Sequence, residues 1–186
     1  MEITLLRHGK PNISHQKKLT ASSFSRWVES YNLAGLSASS KPTIEAIEHS
    51  SKCNAVICSK LLRSKESAKA LKINNVTFSS ELFNEAGLPI ANWELIKLSP
   101  KLWAVLFRVL WLFGYSNKSE SYKEAKTRAS ESANILIELA KEHKSVLFIG
   151  HGVYNRLLSS KLLAAGWSGA KSPNSNHWGY SVYKKT

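Results

Sequence analysis

Three short apolar runs constrain the fold of this chain more than any other feature: EITLLR at 2–7, NAVICS at 54–59 and SVLFIG at 145–150. Each is an unbroken hydrophobic stretch of strand length, closed by glycine or by polar residues, which is how a buried strand reads. A weaker run, NNVTFSS near 75–80, and the alternating GYSVYKK near the C-terminus add a fourth strand and an edge strand. Helical patterns separate them. Ala125, Ala129, Ala133, Leu136, Ile137 and Ala140 recur at helical spacing between Ser121 and His143. SYKE opens that stretch as a capping box, with Ser121 as cap and Glu124 three residues on. Residues 60–72 and 153–165 also favour helix, the latter stopped by Gly166, and the Ser/Lys-rich stretch 36–42 reads as a loop ending in Pro42. Strands alternating with helices over 186 residues predict one domain of the α/β class, a three-layer sandwich with a mainly parallel sheet flanked by helices.

The residues that follow the apolar runs carry the chemistry. Open parallel sheets bind ligands at the carboxyl ends of their strands. The first run delivers Arg7 and His8 to such an end, with Gly9 permitting a tight turn. The run at 145–150 delivers His151, bracketed by Gly150 and Gly152. NAVICS ends at Ser59, and Arg63 falls in the first turn of the helix behind it. Two arginines and two histidines, distant in sequence, are thereby expected at one edge of the sheet. A guanidinium fork matches phosphate oxygens. A neutral imidazole attacks phosphorus to give a phosphohistidine. A second histidine donates hydrogen bonds to charge on the transferred group, and helix N-termini nearby add anion-binding amides. The charge balance agrees: 26 Lys+Arg against 13 Asp+Glu leaves +13, a field that favours anionic partners. The lysines are scattered, and the aromatics cluster in an apolar run instead of interleaving with basic residues, so no nucleic acid is expected.

LLRHGKP, ICSKLLRSKESAKAL and LFIGHGVYNRLL, in this order, resemble the three signature regions of the histidine phosphatase superfamily, also called phosphoglycerate mutase-like. The resemblance runs from Ile3 to about Leu163. It implies that His8 is the phosphorylated nucleophile and that Arg7, Arg63 and His151 complete the phosphate pocket. It also implies a phosphoglycerate mutase-like sandwich with a small helical cap inserted at about 86–118. Members often carry an acid between the second and third regions; LFNEAGLP supplies Glu85, which as a general acid would protonate the leaving oxygen. Glu81 and Glu94 are its rivals. Two departures count against a mutase: Pro11 stands where many members have Thr or Ser, and Ser14 stands where mutases have asparagine. Phosphatase chemistry survives both, because water can take the phosphoryl group from the same intermediate. The expected activity is hydrolysis of a phosphorylated small molecule, a phosphate monoester, with no metal and no cofactor. A phosphohistidine protein phosphatase of the same fold and a non-catalytic phosphate- or RNA-binding module are the alternatives. The first tends to have little cap, and the second has no need of a nucleophile.

One segment stands apart. LWAVLFRVLWLFGY at 102–115 is shorter than the roughly 20 residues that span a bilayer, and Arg108 interrupts it. An amphipathic lid, an interface such as a homodimer contact, or a shallow membrane contact fits it better. Trp93, Trp103, Phe107, Trp111 and Phe113 either fill the core of the cap or wall the phosphate pocket for an apolar or aromatic leaving group. Arg108 either meets a second anionic group or snorkels. His177 and Trp178, in NSNHWGY, lie where the last loop of the resembled fold approaches the site and are not read as catalytic. Cys53 and Cys58 are too few for a disulfide scaffold and read as small apolar side chains near a buried strand. The N-terminus lacks the basic-then-apolar pattern of a signal peptide, so a soluble cytoplasmic protein is expected.

Overall fold

The computed structural model describes residues 1–14 and 17–186. Five strands form one sheet: β1 (Glu2–Arg7), β2 (Ala55–Ser59), β3 (Phe78–Ser80), β4 (Ser145–Gly150) and β5 (Tyr180–Lys184). Their spatial order is β3-β2-β4-β1-β5. All neighbours pair in parallel except β5, which runs antiparallel along β1 as an edge. The three continuous apolar runs therefore occupy the three central places. Alternate residues of a strand face opposite sides, and here both sides are covered. Ile3, Leu5, Ile57, Val146 and Phe148 face α5 (Tyr122–His143) and α6 (Gly152–Ala164) through Ala129, Ala133, Leu136, Leu158 and Leu162. Leu6, Val56, Cys58, Leu147 and Ile149 face α2 (Ile44–Ser50) and α3 (Leu62–Ala70) through Ala46, Ala68 and Leu71 beyond it. This is the three-layer sandwich that the strand–helix alternation predicts.

The local signals hold where they are strong. α5 starts with the expected capping box: Ser121 Oγ accepts from the Glu124 N–H at 3.2 Å, and the Glu124 carboxylate accepts from the Ser121 N–H at 2.7 Å. α6 ends at Ala164, two residues before Gly166, whose φ of +80° suits a residue without a Cβ. Both cysteines are free, and burial pushes the Cys58 thiol up to about 11, as befits a small core side chain.

Two helices lie outside the sequence expectation: α1 (Ala21–Leu33) and α2. Each opens on a threonine cap, Thr20 and Thr43, whose hydroxyl accepts from the N–H three residues on. α1 is rich in serine and carries little intrinsic preference. It is held by packing against α4 (Pro100–Leu112), the helix that the apolar segment forms. Phe24 stacks on Phe107 at 5.8 Å and on Trp103 at 6.3 Å, and Trp103 Nε1 donates to the Leu19 carbonyl at 2.6 Å. Among the described residues no strand residue joins this aromatic cluster. Trp103, Phe107 and Trp111 are buried core, whereas Phe113 is 87% exposed. Among the described residues no helix is long and apolar enough to cross a membrane.

Candidate active site

β2, β4 and β1 lie side by side and parallel, so their carboxyl ends converge on one edge. His8 follows β1, and its amide donates to the Gly150 carbonyl at 3.0 Å, tying the first strand end to the third. His151 follows β4 and forms the N-cap of α6. The two imidazoles are 5.0 Å apart, and both are buried, at 2% and 0% exposure. Arg63 reaches them from the first turn of α3 and is itself fully buried. The sequence thus brings Arg7, His8, Arg63 and His151 to one place.

Hydrogen bonding determines what each ring offers. His8 Nδ1 lies 2.6 Å from the Gly9 carbonyl, which only accepts. The ring proton is therefore on Nδ1, and Nε2 is unprotonated. Arg63 Nε donates to that Nε2 at 3.3 Å. Burial, and then the Arg63 charge, hold His8 well below the usual histidine range, so the ring is neutral. Ser59 Oγ accepts from the Leu61 N–H at 3.2 Å and lies 2.8 Å from His151 Nε2. Among the described residues, Nε2 is the acceptor within reach of the Ser59 hydroxyl proton. That places the His151 proton on Nδ1, a buried atom without a partner. Arg7 Nε is likewise buried and, among the described residues, unpaired, while its Nη1 donates to the Ser175 carbonyl. Two unsatisfied donors buried beside a neutral imidazole leave room for an acceptor that bears negative charge.

The arginine is held from above. Arg63 Nη1 donates to the carbonyls of Tyr31 at 3.0 Å and Asn32 at 3.4 Å, at the C-terminal end of α1, and its guanidinium lies 4.7 Å from the Tyr31 ring centre. α1, unforeseen from the sequence, is thereby part of the site. It also bounds a cavity of about 560 Å³, in which Trp27, Val28, Leu88 and Ala104 make an apolar wall opposite Arg7, Arg63 and Glu85. Of the aromatics named from the sequence, Trp103, Phe107 and Trp111 fill the core behind this wall, and none of the five lines the cavity.

Glu85 lines the same cavity, whereas Glu81 and Glu94 do not. Glu94 is on the surface, where hydrogen bonds from Ser22 and Thr20 hold its carboxyl below the ordinary range. Glu85 accepts from the amides of Tyr154 at 2.8 Å, Val153 at 3.2 Å and Ala86 at 3.0 Å. Two first-turn amides of α6, of the kind the strand-end argument reserves for a bound anion, are therefore occupied by this carboxylate. Its loop is fixed from two sides. Arg108 donates to the carbonyls of Ala86 and Gly87 at 2.9 and 3.0 Å, and Arg128 to those of Leu82 and Asn84 at 2.7 and 3.0 Å. Arg108 thus spends one donor of each terminal nitrogen on backbone while it lines the cavity.

Two further residues bear on His8. His177 Nδ1 donates to the His8 carbonyl at 2.9 Å, and its ring lies 5.5 Å from that of His8. A Cβ on Gly9 would fall 2.2 Å from the Trp178 ring, so Gly9 is required by this close approach and not by a positive φ. Trp178 itself has a φ of +66°, and its indole N–H donates to Ser40 at 3.0 Å. The C-terminal loop clamps the RHG turn. The HW dipeptide is visible in the sequence, but its distance to His8 is set only by the sheet order.

The buried neutral rings have a consequence for stability. In the unfolded chain His8 and His151 take up a proton near the ordinary value of 6.5; in the folded chain burial, aided by neighbouring positive charge, lowers both well below it. Between those values the unfolded state binds more protons, so stability is fully present above pH 6.5 and is lost as the pH falls. The urea midpoint is expected to drop between pH 7.5 and 5.5, and His151→Asn to make that dependence shallower. A midpoint constant across this interval would show that the rings are not buried in neutral form.

Solved structures share this fold. The protein of open reading frame Rv3214 from Mycobacterium tuberculosis aligns over 100% of this chain and 91% of its own, with a TM-score of 0.65 at 18% identity. A putative alpha-ribazole-5'-P phosphatase from Escherichia coli aligns over 100% and 91%, with a TM-score of 0.60 at 14% identity. The mycobacterial glucosyl-3-phosphoglycerate phosphatase Rv2419c, solved with VO3, aligns over 97% and 91%, with a TM-score of 0.59 at 17% identity. Among curated protein sequences none matches this chain. The profile described as histidine phosphatase superfamily (branch 1) matches residues 3–184, and the chain belongs to that superfamily.

Proposed function

We propose that this protein is a phosphomonoesterase in which His8 Nε2 takes the phosphoryl group and the leaving alcohol lies in the apolar cavity. The observation that carries the reading is the tautomer: Nδ1–H is held by the Gly9 carbonyl, which leaves Nε2 as an unprotonated nucleophile beside Arg63. In the first step the ester O–P bond breaks as the N–P bond forms, and Glu85 passes a proton to the departing oxygen. In the second, water attacks phosphorus, its proton goes to Glu85, the N–P bond breaks and inorganic phosphate leaves. The guanidiniums of Arg7 and Arg63 and the free Nδ1–H of His151 meet the charge on the transferring oxygens. The reading calls for no metal ion. The cavity wall of Trp27, Val28 and Leu88 suits an aromatic or long alkyl leaving group over a sugar.

A panel of phosphate monoesters tests both halves of the reading. Turnover is expected with aromatic and alkyl esters and to be weaker with sugar phosphates; an inactive protein, or one selective for sugars, would count against it. Glu85→Gln should slow phosphorylation by an alkyl ester far more than by nitrophenyl phosphate, whose leaving group departs without a proton. Single-turnover rates are needed, since slow hydrolysis of the intermediate would hide the first step. Equal slowing with both esters would make Glu85 a holder of the α6 terminus, a role its contacts with the Val153 and Tyr154 amides already support.

A further inference from the structure

α4 carries more than the wall of the cavity. Its buried stripe is Trp103, Phe107 and Trp111, and its cavity stripe is Lys101, Ala104 and Arg108. A third stripe, Leu102, Val105, Val109 and Leu112, recurs at helical spacing and is between 44% and 55% exposed. Phe113, at 87%, continues it. The loop that leads into the helix adds Leu95, fully exposed, with Ile96 and Trp93. Exposed apolar surface of this extent marks an interaction site.

Charge identifies the partner. Leu19 and Leu98 exchange both backbone hydrogen bonds in an antiparallel bridge. That bridge brings the exposed Lys17 and Lys18 to the N-terminal end of α4, where Lys97 and Lys101 are also exposed. Lys118 stands beyond its C-terminal end. Between Ala86 and Ser119 the one carboxylate is Glu94, against four cations, Lys97, Lys101, Arg108 and Lys118. A second copy of the chain would bring +13 against +13. An anionic lipid surface accepts apolar side chains and neutralises lysines at once. The helix is only about 20 Å long, so it lies along such a surface.

We propose that the outer face of α4, with Trp93, Leu95 and Ile96, seats this protein on an anionic membrane surface. The cavity stripe lies between the buried and the lipid-facing stripes of the same helix. Seating α4 therefore places the flank of the cavity at the lipid interface. The proposal rests on surface residues alone and stands whether or not His8 is the nucleophile.

Co-sedimentation of the full chain with vesicles tests it. Binding is expected to vesicles of equal phosphatidylcholine and phosphatidylglycerol, and to be at least about tenfold weaker to phosphatidylcholine alone or in high salt. Val105→Gln, Val109→Gln and Phe113→Gln together should weaken binding by about tenfold or more, with the thermal midpoint unchanged. Lys17→Glu, Lys18→Glu and Lys97→Glu should remove the preference for anionic lipid. Absence of vesicle binding, equal binding to neutral vesicles, or binding that survives the triple glutamine variant would overturn the proposal. So would a dimer in sedimentation equilibrium that the glutamine substitutions dissociate, since the face would then belong to a second copy.

Discussion

Replacing His8 with alanine is expected to abolish turnover, a loss of at least ~10⁴-fold, because a nucleophile that forms the covalent intermediate has no substitute in the site. His151, the nearest imidazole, has its Nε2 against the Ser59 hydroxyl, so it cannot take over. Rapid acid-free quenching of the wild-type protein with a reactive phosphate ester should trap one acid-labile phosphate, and peptide mapping should place it on the histidine of the RHG turn. Full turnover in the His8→Ala variant, or phosphate mapped to another residue, would remove the covalent mechanism. His8→Ala should keep the far-ultraviolet circular dichroism of the parent, since the strand it follows is held by β4 and β5 through backbone pairing.

Arg63→Ala carries the next largest effect. Loss of one preorganised, charge-assisted donor to a transferring group costs on the order of 2–4 kcal/mol, or ~10²–10³ in rate. The structure adds a second consequence. The same guanidinium satisfies the Tyr31 and Asn32 carbonyls, so alanine also unties the end of α1 that bounds the cavity. Both kcat and KM should therefore worsen with nitrophenyl phosphate, and the thermal midpoint should fall. Arg63→Lys restores the charge but not the fork that spans His8 and two carbonyls, so its rescue should be partial. Kinetics close to wild type in either variant would place Arg63 outside the reaction.

The three central strands and the residues that follow them were legible because both depend on local pattern. A strand buried on both faces must be continuously apolar, and its end is marked where that pattern breaks at Arg7, Ser59 and Gly150. The capping box of α5 is equally local, since Ser121 and Glu124 are three residues apart. α1 was not legible. Its serines give it no distinct preference, and what makes it a helix is a surface supplied by Phe107 and Trp103 some eighty residues later. The same holds for the apolar wall: the sequence left open whether the aromatics of 93–113 fill a core or line the pocket, and α1 supplies part of the wall through Trp27 and Val28.

By itself the sequence determined the fold class, the strand-end placement of Arg7, His8, Arg63 and His151, and the family, since each rests on residues close together in the chain or on short motifs in a set order. Only the tertiary structure decided that Glu85 caps α6 while Glu81 and Glu94 stand apart, that Arg108 holds the loop of Glu85, and that His177 and Trp178 close over the RHG turn. Those are contacts between segments tens to more than a hundred residues apart. No local pattern encodes them, because the order in which strands pair, β2-β4-β1-β5, is fixed by how all the buried faces pack at once.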